Sequence, residues 1–375
     1  HDELAEIVDK YGDERRTEII PATGDVTDED LIARENVVVT ITSTGYAKRT
    51  KVDSYKAQKR GGKGVRGAEL KQDDIVKNFF VCSTHDWILF FTNFGRVYRL
   101  KAYELPEGGR AARGQHVANL LEFQPEEKIA QVIQIQSYED APYLVLATQQ
   151  GRVKKSRLTD YESARSAGLI AINLNEGDAL IGAQLVSEGD DILLTSEQGQ
   201  AIRFTADDDQ LRPMGRATAG VKGMRFRGDD QLLSMSVVHD GEFLLVATSG
   251  GYGKRTAIEE YTPQGRGGLG VMTFKYTPKR GKLIGAISVD EDDEIFAITS
   301  AGGVIRTEVD QIRPSSRATM GVRLVNLADD VELLAIDRNV EEDGEEDAQA
   351  VAKGEKTVDE VQQEHKAGDA SKDEE

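Results

Sequence analysis

The sequence predicts an all-β protein of six similar units, arranged like the blades of a propeller. Three observations support this fold class: one motif recurs six times, its copies are 48 to 56 residues apart, and an apolar run precedes each copy. A unit of about 50 residues has room for four short strands, which is the size of one blade. The motif is [Ser/Thr]-x-x-Gly, and its glycines are Gly45, Gly95, Gly151, Gly199, Gly251 and Gly302.

Each apolar run is rich in strand-forming residues and is nearly continuous rather than alternating. We therefore expect strands that are covered on both faces, as in a sheet packed between two neighbouring sheets. The glycine that follows supplies the positive φ of a type I turn with a bulge, so each unit should contain a hairpin. The six runs are Val37–Ile41, Trp87–Phe91, Tyr143–Ala147, Ile192–Leu194, Phe243–Ala247 and Ile295–Ile298.

A basic residue stands four positions after every motif glycine. Lys and Arg make up 47 of the 375 residues, so chance agreement at six positions is remote. Two interpretations remain open: a solvated strand position copied with the unit, or a functional position at which each unit presents a basic side chain to a ligand. The residues are Arg49, Arg99, Lys155, Arg203, Arg255 and Arg306.

A second motif, Arg-x-x-x-Gly, places its glycine 17 to 21 residues after the first glycine. Its copies are Arg60–Gly64, Arg110–Gly114, Arg216–Gly220, Arg266–Gly270 and Arg317–Gly321, with a compressed third copy at Arg165–Gly168. The first copy is enriched to Gln58, Lys59, Arg60, Gly61, Gly62, Lys63 and Gly64. Three glycines let a backbone approach phosphates closely while the basic side chains neutralise their charge.

The two ends of the chain differ from the repeats. Leu4, Ile7, Val8 and Tyr11 recur at helical spacing, so we expect a short helix that ends near Tyr11. We predict a linker over residues 1–34, the six units over 35–338 and a tail over 339–375. The tail is acidic and has no aromatic residue, which predicts disorder.

The net charge of -19 does not by itself exclude a nucleic-acid partner. Residues 1–35 carry a net charge of -8 and residues 341–375 carry -10, so residues 36–340 carry only -1. A nearly neutral body leaves room for a basic stripe on one side.

Several other classes are disfavoured. Cys82 is the single cysteine, so no disulfide framework exists and a reducing cytoplasm is expected. No apolar stretch approaches the length of a membrane span. The GxGxxG matches at Gly62–Gly67 and Gly265–Gly270 do not open a helix, which argues against dinucleotide binding. The histidines do not cluster with Cys or acidic residues, so we predict no metal site and no catalytic residue.

The segment Gln58–Gly64 resembles the seven-residue box that marks the C-terminal domain of bacterial DNA gyrase A, with Lys59 where that box usually has arginine. Gly12–Ile19 and Asp28–Ile32 are similar to segments that join this domain to the gyrase core. The resemblance implies a six-bladed β-pinwheel, a propeller-like disc whose blades exchange strands. It also implies that duplex DNA bends and wraps around a basic rim, independent of its sequence, which enables negative supercoiling.

On this resemblance, the box would fasten one end of the DNA, and the other basic positions would form the path around the rim. The predicted path contains Arg49, Arg99, Lys155, Arg203, Arg255 and Arg306, together with Arg110, Arg113, Arg216, Arg266 and Arg317. The chain begins with His1 rather than Met, so we expect it to be part of a longer protein. The family's catalytic tyrosine, its cleavage domain and its ATPase would then lie elsewhere.

The same resemblance implies partners and cofactors. The expected partners are double-stranded DNA, the rest of gyrase A, and gyrase B, in an A2B2 complex, with this part of the chain monomeric by itself. ATP and Mg²⁺ would serve the full complex, and no cofactor is expected here. Two alternatives stay open: the matching domain of topoisomerase IV, whose box is degenerate or absent, and a propeller that serves as a protein-binding scaffold.

Overall fold

The chain separates into two units, residues 1–33 and 34–375. The computed structural model describes residues 2–12, 28–55, 74–162, 167–238 and 243–367. The first unit contains helix α1 (Asp2–Tyr11), which confirms the helix predicted at this end, and a 3₁₀ turn at Asp28–Leu31. The second unit contains all of the strands found among these described residues.

The strands are short, with two to eight residues each, and the six predicted apolar runs fall in the first strand of the six hairpins. In chain order they are β1 (Asn36–Thr42), β2 (Tyr46–Lys51), β3 (Val76–Ser83), β4 (Trp87–Thr92), β5 (Arg96–Lys101), β6 (Gln115–His116), β7 (Ile129–Ile135), β8 (Tyr143–Thr148), β9 (Arg152–Arg157), β10 (Leu169–Ile170), β11 (Leu180–Val186), β12 (Asp191–Ser196), β13 (Gln200–Thr205), β14 (Val221–Lys222), β15 (Leu232–Val237), β16 (Phe243–Thr248), β17 (Tyr252–Ala257), β18 (Val271–Met272), β19 (Leu283–Val289), β20 (Glu294–Thr299), β21 (Val304–Glu308), β22 (Val322–Arg323) and β23 (Leu333–Arg338).

These strands form six small antiparallel sheets, which confirms the six-bladed, propeller-like fold. Numbered along the chain, the blades have the strand orders β3-β1-β2-β6, β7-β4-β5-β10, β11-β8-β9-β14, β15-β12-β13-β18, β19-β16-β17-β22 and β23-β20-β21. Each blade is built on one hairpin that closes at the [Ser/Thr]-x-x-Gly motif. All six motif glycines have positive φ, between 70° and 88°, as the predicted turn requires.

In blades 1 to 5 the outermost strand comes from the next blade along the chain. Strand β6 follows the hairpin of blade 2 but pairs with β2 of blade 1, where Tyr46 lies opposite His116. Strands β10, β14, β18 and β22 repeat this arrangement. The exchange of strands between blades, which the resemblance implied, is therefore present among the described residues.

The second motif glycine makes this exchange possible. Gly220 has a φ of 69° and lies so close to β9 that a Cβ would stand 2.4 Å from the carbonyl oxygen of Val153. Gly114 and Gly321 make the same 2.4 Å approach to the carbonyl oxygens of Ala47 and Gly253. A side chain at these positions would push the donated strand away from its partner.

Apolar side chains fill the spaces between neighbouring blades. In β1, Val37, Val39 and Ile41 pack against blade 2, whereas Val38 faces the other way. The central strands are therefore covered on both faces, as their continuous apolar runs predict. The contacts at the other interfaces follow the same pattern, so each blade packs on its neighbours rather than on one common core.

The prediction that residues 339–375 form a disordered tail is wrong for most of that segment. Residues Glu341–Lys353 form helix α2 and Val358–Ala367 form helix α3. Ala348 and Val351 of α2, with Val358 and Val361 of α3, are buried against the face of blade 1 that contains Val38. A narrow stripe of small apolar residues is enough to hold two acidic helices when a blade face is available to cover it.

The sequence contains local features that favour these helices, although its acidic, aromatic-free composition predicts disorder. Thr357 and Glu360 form a capping box: the Glu360 amide donates to Oγ1 of Thr357 at 3.1 Å, and the Thr357 amide donates to the Glu360 carboxylate at 2.6 Å. Gly354 ends α2 with a φ of 74°. The helices lie near the seam where the first and last blades meet, marked by Lys77 and Asp337 at 3.9 Å.

Candidate nucleic-acid interface

The donated strands and the turns beside them run along the outer edges of the blades. We call these segments the outer belt, and define it as residues 108–118, 167–174, 212–227, 264–276 and 313–325. The belt contains twelve Lys or Arg residues and no Asp or Glu, although Asp and Glu make up 66 of the chain's 375 residues. Charge is therefore sorted by position in the fold: four of the five belt segments contain Lys or Arg, and residues 167–174 contain no charged residue.

Backbone hydrogen bonds join one belt segment to the next in a constant register. The amide of Asn173 donates to the carbonyl of Thr218 at 3.0 Å, that of Arg225 to Gly268 at 2.8 Å, and that of Lys275 to Thr319 at 3.1 Å. In each case the donor lies five residues after one second-motif glycine, and the acceptor lies two residues before the next. The belt is consequently a continuous strip across blades 2 to 5, not a set of separate loops.

Five of the predicted DNA-binding residues lie in this belt: Arg110, Arg113, Arg216, Arg266 and Arg317. The Arg113 guanidinium lies 3.7 Å from the centre of the Tyr46 ring, a cation–π contact that orients it. The Arg216 guanidinium donates to the carbonyl of Ile170 at 2.9 Å, and that of Arg266 to the carbonyl of Lys222 at 3.0 Å. The contacts of Arg216 and Arg266 each link one belt segment to another, and all three arginines stay partly exposed.

Arg110 is held differently from the other belt arginines. Its guanidinium lies 4.4 Å from the centre of the Tyr55 ring and donates to the carboxylate of Glu345 in helix α2. The segment predicted to be a free acidic tail thus places one of its carboxylates directly on a belt cation.

The structure corrects the prediction that the basic residue after each hairpin lies on an exposed rim. Lys155 is 0% exposed and Arg255 is 2% exposed, so neither side chain presents a charge on a rim. Lys155 donates to the carbonyl of Ala206 at 2.7 Å, and Arg255 donates to the carbonyl of Ile312 and to Glu291. Both acceptor carbonyls belong to the following blade, so these cations join blades rather than offer contacts to a ligand.

Arg49 and Arg203 make the same kind of contact while half-buried. Arg49 donates to the carbonyl of Leu105 at 2.9 Å and to Glu107, and Arg203 donates to the carbonyl of Tyr261 at 3.3 Å and to Asp191. Four of the six repeated cations therefore clamp their own blade to the next one. Neither a solvated strand position nor a contact on the rim describes these four residues, because their contacts are internal.

The remaining two members of this set differ. The Arg99 guanidinium lies 4.4 Å from the centre of the Trp87 ring and donates to the hydroxyl of Tyr138 at 3.2 Å. Arg306 is the most open of the six, with 58% of its side chain exposed, and it pairs with Glu294.

Sequence reasoning missed other exposed cations of the belt. Lys222 and Arg323 lie two residues after a second-motif glycine, and Arg225 and Lys275 lie five residues after one. All four residues are exposed. The same sequence period could have predicted these four residues, because each lies at a fixed distance after the second-motif glycine rather than before it. The box Gln58–Gly64 lies outside the described residues.

Three buried lysines lie directly behind the belt. Lys48, Lys154 and Lys254 occupy the same position of β2, β9 and β17, three residues after the motif glycine, and are at most 1% exposed. Burial lowers the pKa of Lys48 and of Lys254 to about 8, and that of Lys154 to about 7. Desolvation therefore disfavours the cationic form of these side chains. Their Nζ groups donate hydrogen bonds to backbone carbonyls of the belt.

The part of the chain that the structure describes has neither a cluster of metal ligands nor a helix suited to a membrane. No group of three or more His, Cys, Asp or Glu residues there is arranged to hold a metal ion. None of the helices there is both long and apolar enough to cross a membrane.

Comparison with known proteins agrees with this architecture. A family model described as the DNA gyrase C-terminal domain, a β-propeller, matches residues 36–83, 86–136, 142–187, 190–239, 242–290 and 293–339. DNA gyrase A of Mycolicibacterium smegmatis is 69% identical over 342 residues, which are 91% of this chain and 41% of that protein. DNA gyrase A of Streptomyces coelicolor is 61% identical over 345 residues, which are 91% of this chain and 40% of that protein.

Solved structures show the same fold. The C-terminal domain of DNA topoisomerase IV superposes with a TM-score of 0.77 at 28% identity, covering 86% of this chain and 99% of that one. A DNA gyrase A C-terminal domain superposes with a TM-score of 0.62 at 29% identity, covering 82% of this chain and 100% of that one. The chain spans about two fifths of the length of the curated relatives that it matches. With six family matches over its six blades, the chain belongs to the DNA gyrase A C-terminal domain family.

Proposed function

We propose that this chain binds, bends and wraps duplex DNA around the outer belt without reading base sequence. The observation that carries the proposal is the sign of the belt, which has twelve basic residues and no acidic residue in a protein of net charge -19. Lys and Arg side chains on a curved edge can neutralise phosphates whatever the base sequence of the DNA. Phosphate contacts position a protein on DNA but carry no sequence information.

The energetic scale of bending favours a distributed contact. Bending 20–30 bp by 40–90° costs roughly 1–6 kcal/mol, so a wrap that follows most of a disc costs several times as much. One basic box cannot supply that free energy. Contacts spread along a continuous belt can, because the free energy of each neutralised phosphate adds along the path.

The wider role follows from the relatives. We propose that the wrap lets a gyrase introduce negative supercoils, with the catalytic tyrosine, the ATPase, ATP and Mg²⁺ supplied by the rest of an A2B2 complex in the cytoplasm. The 375-residue chain by itself should then have no supercoiling activity and need no cofactor. Its direct partner is double-stranded DNA.

The test is a measurement of DNA bending and of its salt dependence. We expect the chain to raise energy transfer between the labelled ends of a short duplex, and its affinity to fall steeply as salt is added. Replacing Lys222, Arg225 and Lys275 with alanine should lower the slope of log affinity against log salt by roughly three, at about 0.9 per contact. The matched control replaces three lysines that are exposed outside the belt, Lys10, Lys128 and Lys353.

Two outcomes would redirect the proposal. A flat salt response with unchanged energy transfer would favour a scaffold that binds proteins. Equal slopes for the belt variant and its control would place the DNA elsewhere on the molecule. Replacing Gln58–Gly64 with alanines should leave measurable binding but reduce energy transfer, because the box would fasten one end of the wrap.

A further inference from the structure

We infer that Lys48, Lys154 and Lys254 are positioning residues for the belt arginines Arg110, Arg216 and Arg317. On this view, alternate blades carry one matched set of three DNA contacts. The inference rests on the proposed DNA wrapping and deepens it, since it says which contacts are held in place and by what.

The first observation is the set of bonds made by the lysines. Lys154 donates through Nζ to the backbone carbonyl of Arg216, which lies 62 residues further along the chain, and to that of Ala171. Lys254 donates to the carbonyls of Ser316 and Arg317, each at 2.5 Å. In blade 1, Lys48 donates to the carbonyls of Gly109 and Arg110.

A second side chain from each of the same three strands holds the same turn. The hydroxyl of Ser156 donates to the carbonyl of Met214 at 2.9 Å, two residues before Arg216. Thr50 and Thr256 make the corresponding 2.9 Å bonds to the carbonyls of Gly108 and Ser315. The backbone beside each arginine is therefore tied down at two points by the preceding blade.

Among the described residues, the other three blades have no lysine at this strand position. Tyr98, Ile202 and Ile305 stand at the lysine position of blades 2, 4 and 6. Ile202 is fully buried at that position, so the packing between blades does not itself require a lysine there. The sequence shows the same alternation, because the triplet Lys-[Arg/Lys]-[Ser/Thr] occurs at Lys48, Lys154 and Lys254, and Arg-Ala follows at Arg110, Arg216 and Arg317.

The free-energy cost of burying a lysine supports a role for it beyond packing. A buried ammonium is usually neutral or unfavourable for stability compared with an apolar side chain of similar size. Two backbone carbonyls per lysine recover part of that cost only while the belt turn stays in place. The result is a turn with few alternative conformations, and an arginine that is ordered before DNA arrives.

The experiment is a double-mutant cycle in the 375-residue chain. Lys154→Met removes the donors and keeps the volume, and Arg216→Ala removes the proposed phosphate contact. We expect Arg216→Ala to lower the salt slope of duplex binding by about 0.9, Lys154→Met to lower it in the same direction, and the double variant to match Arg216→Ala alone. Ile202→Met is the matched control at the same strand position, and it should leave the slope unchanged.

Each outcome bears on the inference. If the unmodified chain shows no salt-dependent binding, the proposed function itself fails. If the chain binds but Lys154→Met leaves the slope unchanged, or lowers it equally with and without Arg216, the positioning role is wrong. Should Lys154→Met not fold, Ser156→Ala removes one bond to the same turn. It is then expected to lower the slope only when Arg216 is present, and an equal effect in both backgrounds overturns the inference.

Discussion

The carboxylate of Glu345 accepts a hydrogen bond from the Arg110 guanidinium at 2.5 Å, although 235 positions separate the two residues. One partner belongs to an acidic helix near the C-terminus, and the other belongs to the basic belt. The pair shows that residues 341–367 are both a structural part of blade 1 and a source of negative charge beside a proposed DNA contact. These two roles can be separated by substitution.

Removing the charge of Glu345 should strengthen DNA binding. Glu345→Gln keeps the shape of helix α2 but frees Arg110 to pair with a phosphate, so we expect tighter binding at low salt and a salt slope steeper by up to about one. Fluorescence anisotropy on a labelled duplex measures both. Glu364→Gln is the control, because Glu364 pairs with Lys356 of the same C-terminal segment. Equal effects of the two variants would mean that only net charge matters.

Gly344 tests whether helix α2 is packed on blade 1. A Cβ at this position would lie 2.2 Å from Cδ1 of the buried Phe79 ring. We therefore expect Gly344→Ala to lower the free energy of unfolding by about 1–3 kcal/mol, although alanine is the better helix former by about 1 kcal/mol. Urea unfolding measures the change, with the exposed Glu346→Ala as control. A neutral or stabilising effect would indicate that α2 does not stay docked.

The belt turns should depend on their second glycine. Gly220 has a φ of 69° and no room for a Cβ beside the Val153 carbonyl, whereas Gly215 of the same turn has no atom within 4 Å of that position. We expect Gly220→Ala to destabilise the chain by on the order of 2 kcal/mol and to loosen β14, and Gly215→Ala to be close to neutral. Thermal unfolding of the two variants makes the comparison, and similar melting temperatures would contradict it.

Arg255 should matter for stability and not for DNA. Its guanidinium is buried and bonded to Ile312 and Glu291, so Arg255→Ala leaves the buried Ile312 carbonyl without this donor and should cost roughly 1–3 kcal/mol. Because the side chain is 2% exposed, the salt slope of binding should not change while the variant remains folded. A lower slope with unchanged stability would show that Arg255 reaches DNA after all.

The buried lysines predict a specific dependence of stability on pH. The pKa of Lys154 falls from 10.5 to about 7 on burial, with Arg216 lowering it further and Asp160 opposing. Between those values the unfolded chain holds a proton that the folded chain lacks, so stability rises with pH across this window and is level below it. A neutral amine still has two N–H donors for its two carbonyl acceptors.

The measurement compares the chain with its Lys154→Met variant by urea unfolding at several pH values. The free energy of unfolding of the unmodified chain, relative to that of the variant, should rise as the pH rises above about 7. Lys254→Met should show the same trend beginning near pH 8, since the pKa of Lys254 is lowered to about 8. A free energy of unfolding that falls relative to that of the variants as the pH rises would contradict the sign of these shifts.

The period of the sequence determined the blades. The turn itself requires Gly45 and its five equivalents, and the apolar runs are long enough to be covered on both faces. Both features can therefore be predicted from the local sequence. The belt can be predicted in part for the same reason, since Arg216 and Arg317 each stand four residues before a glycine that approaches a neighbouring backbone closely. Lys222 and Lys275 obey the same period, but their exposure follows from the exchange of strands between blades.

Tertiary structure alone decided which basic residues face solvent. The cations at 155 and 255 have the same sequence context as Arg306, yet the first two are buried against the next blade and the third is exposed, because a blade follows two of them and not the last. The C-terminal helices show the same limit. Their valines could bury nothing alone, and only the free face of blade 1 made an acidic, aromatic-free segment fold. A periodic sequence specifies what each unit forms, whereas burial depends on which surfaces meet.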